Sequence, residues 1–178
     1  MRKFNLFCSA AAIFIFCFSG LAQEKNIQKI ELPKWYLEQK LDQTVINLTA
    51  TMTAGIAFAK SLGKSPEDFG KFLGNSFSPG WEGMKGKGIA PLFKWMYINL
   101  QADKSFKLEI ISETEKSVQA RRTRFDEATL KEFSHLGVTV EEYDRFWGKL
   151  WEEIANYLGL EYTQKVEGNW IIMKINTK

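Results

Sequence analysis

Cysteine and histidine are nearly missing from this chain. Of its 178 residues, two are cysteine, Cys8 and Cys17, and one is histidine, His135. Both cysteines lie in an opening segment that has the order of a secretory signal. Arg2 and Lys3 come first, then an apolar run from Phe4 to Phe18, then Ser19-Gly20-Leu21-Ala22 ahead of Gln23. Residues 1–22 are therefore expected to be removed, with cleavage near Ala22-Gln23, because Gly20 and Ala22 supply the small residues a signal peptidase needs. The alternative is an uncleaved anchor, since Phe4 to Ala22 approaches the roughly 20 residues of a spanning helix. A lipoprotein signal is disfavoured because Cys17 follows Phe16 rather than a small residue.

A chain cut at that point is periplasmic or secreted, carries no membrane span, and has neither thiol nor disulfide. That excludes thiolate catalysis, cysteine-ligated zinc and iron–sulfur chemistry. One histidine cannot build a two-histidine metal site, and a serine triad would have to use His135 without any nucleophile-elbow sequence. Its position near the end of an expected short helix suits a C-terminal capping role. Strong charge of one sign is also lacking. The 24 basic residues fall to 22 without Arg2 and Lys3, against 21 acidic ones, so no global field draws the mature chain onto nucleic acid or anionic lipid.

What is present is apolar bulk. Residues 23–178, about 156 of them, are enough for one domain with a sizeable core, and an aromatic content of 14% can hold it together without disulfides. Leu41, Val45, Leu48, Met52, Ile56 and Ala59 recur at helical spacing and predict a helix over 34–61. Thr44, Thr49, Thr51 and Thr53 leave a strand open as an alternative there. Gly63 stops this element, and Ser65-Pro66-Glu67-Asp68 starts a second helix that is expected to end near Gly74. Residues 74–88, with Gly74, Gly80, Gly83, Gly86 and Gly88 around Trp81 and Met84, look too rich in glycine for regular structure. A clean apolar stripe predicts a helix over 91–102.

The period then changes to two. Phe106, Leu108 and Ile110, then Val118 and Ala120, alternate with polar residues and predict a β-hairpin. A short helix from Asp126 to His135 follows, and Thr139 with Glu142 forms a capping box for a helix with two distinct faces. Tyr143, Phe146, Trp147, Leu150, Trp151, Ile154, Ala155 and Leu158 line one face; Asp144, Arg145, Lys149, Glu152, Glu153 and Asn156 line the other. A second hairpin closes the chain at about 160–166 and 170–176, and its last strand is apolar on both faces. The order predicts an α+β fold in which a four-stranded antiparallel sheet, made of two hairpins, packs against four to five helices.

Catalytic patterns are absent. Gly63-Lys64-Ser65 imitates a phosphate loop, but Phe58 stands where the motif needs glycine. No pair of carboxylates is placed across a cleft, and no metal or cofactor set is expected. Two features exceed this background. In Arg121-Arg122-Thr123-Arg124, strand alternation turns Arg122, and with it Arg124, toward the face of Val118 and Ala120. A guanidinium there needs an acidic partner or an anionic ligand, unless the strand ends and the side chains reach solvent. The second feature is the glycine-rich segment bearing Trp81 and Met84, either a flap over an apolar pocket or a connection whose tryptophan plugs the core.

The run Val118 to Arg124, the stretch Leu136-Gly137-Val138-Thr139-Val140-Glu141-Glu142-Tyr143, and Ile154 to Tyr162 with its closing hairpin resemble a known group of small domains. These are the 4-vinyl-reductase-like and aminothiazoline-carboxylate-hydrolase-like domains, related in fold to haem nitric-oxide-binding domains. The resemblance covers about a third of the chain. It implies helices wrapped on an antiparallel sheet around a pocket for a small, largely apolar molecule. The hydrolase branch tends to carry a cysteine just after the first hairpin, where this chain has Phe125 and Asp126. Three functions are thus expected in order: an exported small-molecule-binding domain for an apolar or amphipathic acid, with Arg122, Arg124, Trp81 and Met84 as its binding residues; a hydrolase of the aminothiazoline-carboxylate type; or a structural or partner-binding envelope protein.

Overall fold

The computed structural model describes residues 33–34, 36–101, 105–124 and 127–178, so the signal expected over 1–22 lies outside the described residues. Helix α1 (Leu37–Ser61) runs straight through the threonine-rich stretch. The hydroxyls of Thr44, Thr51 and Thr53 donate to the carbonyls of Lys40, Asn47 and Thr49 at 2.9, 2.8 and 2.7 Å, which satisfies them inside the helix and removes the strand alternative. Gly63, at φ +71°, turns the chain out. Helix α2 (Pro66–Phe77) starts on a reciprocal cap: the Asp68 N–H donates to the Ser65 hydroxyl, and the Ser65 N–H donates to the Asp68 carboxylate.

The expectation of an irregular segment over 74–88 is corrected here. Helix α2 continues past Gly74 to Phe77 and passes directly into a 3-10 helix (Ser78–Met84). Helix α3 (Ile89–Leu100) begins two residues earlier than its pattern suggested. Strands β1 (Leu108–Glu113) and β2 (Ser117–Thr123) form the first hairpin. Helix α4 (Glu127–Glu132) and a single 3-10 turn (Ser134–Leu136) follow, closed by Gly137 at φ +65°. Helix α5 (Val140–Tyr157) starts on the expected Thr139–Glu142 box. Strands β3 (Leu160–Glu167) and β4 (Trp170–Thr177) form the second hairpin.

The two hairpins join through their later strands, giving an antiparallel sheet of order β1-β2-β4-β3. This is the α+β arrangement, a four-stranded antiparallel sheet with five α-helices. Its inner face is set by registered pairs: Val118 opposite Ile175, Ala120 opposite Met173 and Arg122 opposite Ile171, all buried. On the outer face of β4, Ile172 is also nearly covered, and the Arg121 guanidinium lies 4.6 Å from the centre of the Trp170 ring. β1 departs from its alternating pattern. It is an edge strand with a bulge between Ile110 and Ser112, which leaves Ile110 and Ile111 about half exposed, at 51% and 50%.

Helix α5 touches β3 on one side and α2 on the other. Glycine makes the second contact possible. A β-carbon on Gly74 would lie 2.7 Å from Glu153 Cβ and 2.8 Å from the Leu150 carbonyl oxygen, and one on Gly70 would collide with the Phe146 carbonyl. Gly74 is therefore a contact surface rather than a helix stop. Phe69 stacks on Phe146 across the same interface, ring centres 5.2 Å apart. Among the described residues no single helix is long and apolar enough to cross a membrane.

Candidate functional site

Two concave regions flank α5, and they differ in chemistry. On the helical side lies a cavity of about 320 Å³. The apolar stripe of α5 lines it with Tyr143, Trp147, Leu150, Trp151 and Ile154, residues that a 3.6-residue period stacks on one face. Opposite them, α1 contributes Val45, Leu48, Thr49 and Met52 from the first part of its own stripe; Ile56 and Ala59, further along, are buried. The end of α3 adds Asn99 and Leu100, and the α2 to 3-10 junction adds Phe77 and Trp81. Among the described residues on this wall there is no charged side chain.

Trp81 is thus on the cavity wall, held by an ordered 3-10 helix. Its ring stands perpendicular to Trp151, centres 5.9 Å apart. The next residue anchors the segment from outside: the Tyr157 hydroxyl donates to the Glu82 carboxylate, and Lys85 Nζ sits 4.7 Å from the centre of the Tyr157 ring. The Glu82 hydrogen bond, with some help from burial, raises the Tyr157 hydroxyl above its usual range. Met84 packs partly against the core but faces a separate shallow depression with Trp95, Lys94 and Pro91, away from the cavity.

Arg122 points inward as strand alternation required and is 2% exposed. Its Nη1 donates to the Thr123 carbonyl at 3.1 Å, and its charge acts on Asp144 and Tyr162. Burial pushes the Tyr162 hydroxyl up to about 12, with Arg122 working against it. Arg124 reaches α5, where its Nε and Nη2 donate to Asp144 Oδ2 at 2.9 and 2.5 Å, and Nη2 lies 3.4 Å from Glu141. Burial opposes the charge on Arg124, but its bonds to Asp144 win and raise its pKa.

Asp144 corrects the sequence expectation. Its place on the polar face of α5 suggested a solvated side chain, yet it is 3% exposed beneath Arg124. Its burial outweighs the Arg124 contact, so its carboxyl sits above the usual value of 3.8. The available clue was the arginine pair itself, which demanded an acid. The network ends on β3: the Tyr162 hydroxyl donates to the Gln164 side-chain carbonyl at 2.8 Å, and the Gln164 amide donates to the Asp144 backbone carbonyl at 2.9 Å. Asp144, Tyr162 and Gln164 also line the second concavity, an open groove of about 890 Å³ between α5 and β3. Its rim consists largely of ion pairs, among them Arg145 with Glu67, Lys149 with Glu152 and Lys165 with Glu167, an ordinary solvated surface.

The structure therefore separates the four expected binding residues. Trp81 lines the apolar cavity, Met84 lines a separate depression, and Arg122 and Arg124 serve a polar network that locks β2 to α5. Among the described residues no three His, Cys, Asp or Glu side chains are grouped as a metal site. Compared with protein-family models, curated proteins and solved structures, the chain has no significant match.

Proposed function

We propose that this chain is an exported domain that binds a small, largely apolar molecule in the cavity lined by α1, α3, α5 and the 3-10 helix at Trp81. The observation that carries this reading is the cavity itself. Its volume of about 320 Å³ falls at the lower end of the roughly 300–1,000 Å³ of small-molecule sites, and its wall is aromatic and aliphatic with a few polar groups. Export rests on the charged, apolar, small-residue order of the first 22 residues. The resemblance to the 4-vinyl-reductase-like group points the same way, toward a pocket for an apolar molecule.

The test is a titration with the neutral fluorophore N-phenyl-1-naphthylamine. Saturable enhancement in the wild type, lost in a folded Met52→Trp variant that fills the cavity, supports the reading. Equal enhancement in both proteins refutes this cavity as the site. The partner-binding alternative has one observation in its favour, the exposed Tyr36, Leu37 and Leu41 at the start of α1. It predicts that those residues, and not Met52, control the behaviour of the protein. The hydrolase alternative gains nothing here: the described cavity wall offers no acid, histidine, lysine or cysteine to activate Thr49 or Tyr143.

A further inference from the structure

Trp151 combines three properties that an apolar filler does not need together. It lies on the cavity wall, it is 4% exposed, and its indole N–H has no hydrogen-bond acceptor among the described residues. A buried donor of this kind is unfavourable, and phenylalanine would fill a core position without it. The described wall also carries no cationic side chain that could neutralise an anion.

We infer that the ligand of this cavity is a neutral molecule with an apolar body and one hydrogen-bond acceptor, a carbonyl, ether or hydroxyl oxygen, that takes the Trp151 N–H. This rests on the reading of the cavity as a binding site and narrows it: the acceptor sets orientation, and the surrounding rings and methyl groups set size. It also moves the polar end of the ligand away from Arg122, whose charge is engaged in the network around Asp144 and Tyr162.

Three probes of nearly one shape separate the possibilities: α-methylstyrene, a hydrocarbon; acetophenone, which replaces its methylene by a carbonyl oxygen; and benzoate, the anion. In the wild-type full chain, acetophenone should move the ¹⁵N-indole cross-peak of Trp151 downfield, and α-methylstyrene should leave it nearly in place. By calorimetry, Trp151→Phe should weaken acetophenone about fivefold relative to α-methylstyrene, the worth of one net hydrogen bond. The wild-type spectrum needs no variant, so the inference stays testable if Trp151→Phe fails to fold. Equal responses to acetophenone and α-methylstyrene overturn it and leave the cavity reading intact. Tightest binding of benzoate overturns the neutral class, and failure of all three probes to bind overturns the cavity reading together with the inference.

Discussion

Replacing Gly74 by alanine sets two effects against each other, and the structure decides the sign. In a helix interior alanine is favoured over glycine by about 1 kcal/mol, so propensity alone makes Gly74→Ala stabilising. The new methyl would lie 2.7 Å from Glu153 Cβ and 2.8 Å from the Leu150 carbonyl oxygen, where ordinary contact begins at 3.4 Å. The Glu153 stem can give a little, but the Leu150 carbonyl is fixed in the middle of α5. Helix α2 must therefore retreat by about half an ångström, at an overpacking cost of about 1–3 kcal/mol. The retreat also opens the Phe69–Phe146 stack. The expected net result is a loss of up to about 2 kcal/mol. Urea unfolding followed by circular dichroism should show the midpoint falling by up to about 1 M at an unchanged slope near 2 kcal/mol/M. Asn75→Ala, exposed in the same helix, is the control and should raise stability by a few tenths of a kcal/mol. A rise in midpoint for Gly74→Ala itself would show that the helices do not meet backbone to backbone.

Arg124→Met strands the buried Asp144 carboxylate and should cost about 3 to 5 kcal/mol in chemical denaturation, part of it recovered when Asp144→Leu is added, the rest held back because Arg122 also draws on the Asp144 charge. Trp81→Ala removes a half-buried ring from the cavity wall. It should cost less than the roughly 3 to 5 kcal/mol of a fully buried aromatic, while N-phenyl-1-naphthylamine binding weakens at least severalfold; a full-sized stability loss with unchanged binding would make Trp81 a plug. Burial works against the charge on Glu142, but the Lys60 ammonium and the Thr139 N–H hold its pKa below the usual 4.5. Its contribution to stability is therefore present above pH 4.5 and is lost as the pH falls through the lower folded value. Wild type should exceed Glu142→Gln in thermal midpoint at neutral pH and lose that advantage in acid; a gap independent of pH would mean that the charge is not what matters.

Much of the fold could be read from period and punctuation. Ser65-Pro66 and Thr139 with Glu142 announced helix starts because capping chemistry is local, and Val118-Gln119-Ala120-Arg121-Arg122 gave both the strand and the inward turn of Arg122. Three things could not be read, each for a non-local reason. Gly74 looked like a helix stop because its value lies in the backbone of α5, distant in sequence. Asp144 looked solvated because the buried arc of α5 is wider than its apolar stripe: Asp144, Gly148, Trp151 and Ala155 share its edge and are all buried. The cavity was foreseen only as a flap over a pocket. Trp81 belongs to its wall, but the facing residues come from α1, α3 and α5, whose convergence no local pattern specifies. Arg122 and Arg124 were singled out for a sound electrostatic reason, yet an acid within the chain, Asp144, meets Arg124 directly.

The middle of the sheet is made by β2 and β4, and the outermost pair of that ladder, Ser117 with Asn176, is 59 residues apart in sequence. A ribosome releases β2 long before its central partner exists. Until β4 emerges, the first hairpin has one face and one edge uncovered, and β3 has nothing to join. Closing so long a loop is slow, and the contacts that compensate for it arrive together, so the sheet assembles late and as a unit. For a chain proposed to be exported this order is an advantage, because a polypeptide that cannot complete its fold during synthesis is still threadable when translocation begins. The same order leaves the unpaired backbone edge of β2 open in the meantime, and that interval is when the chain is most prone to pair with another copy of itself.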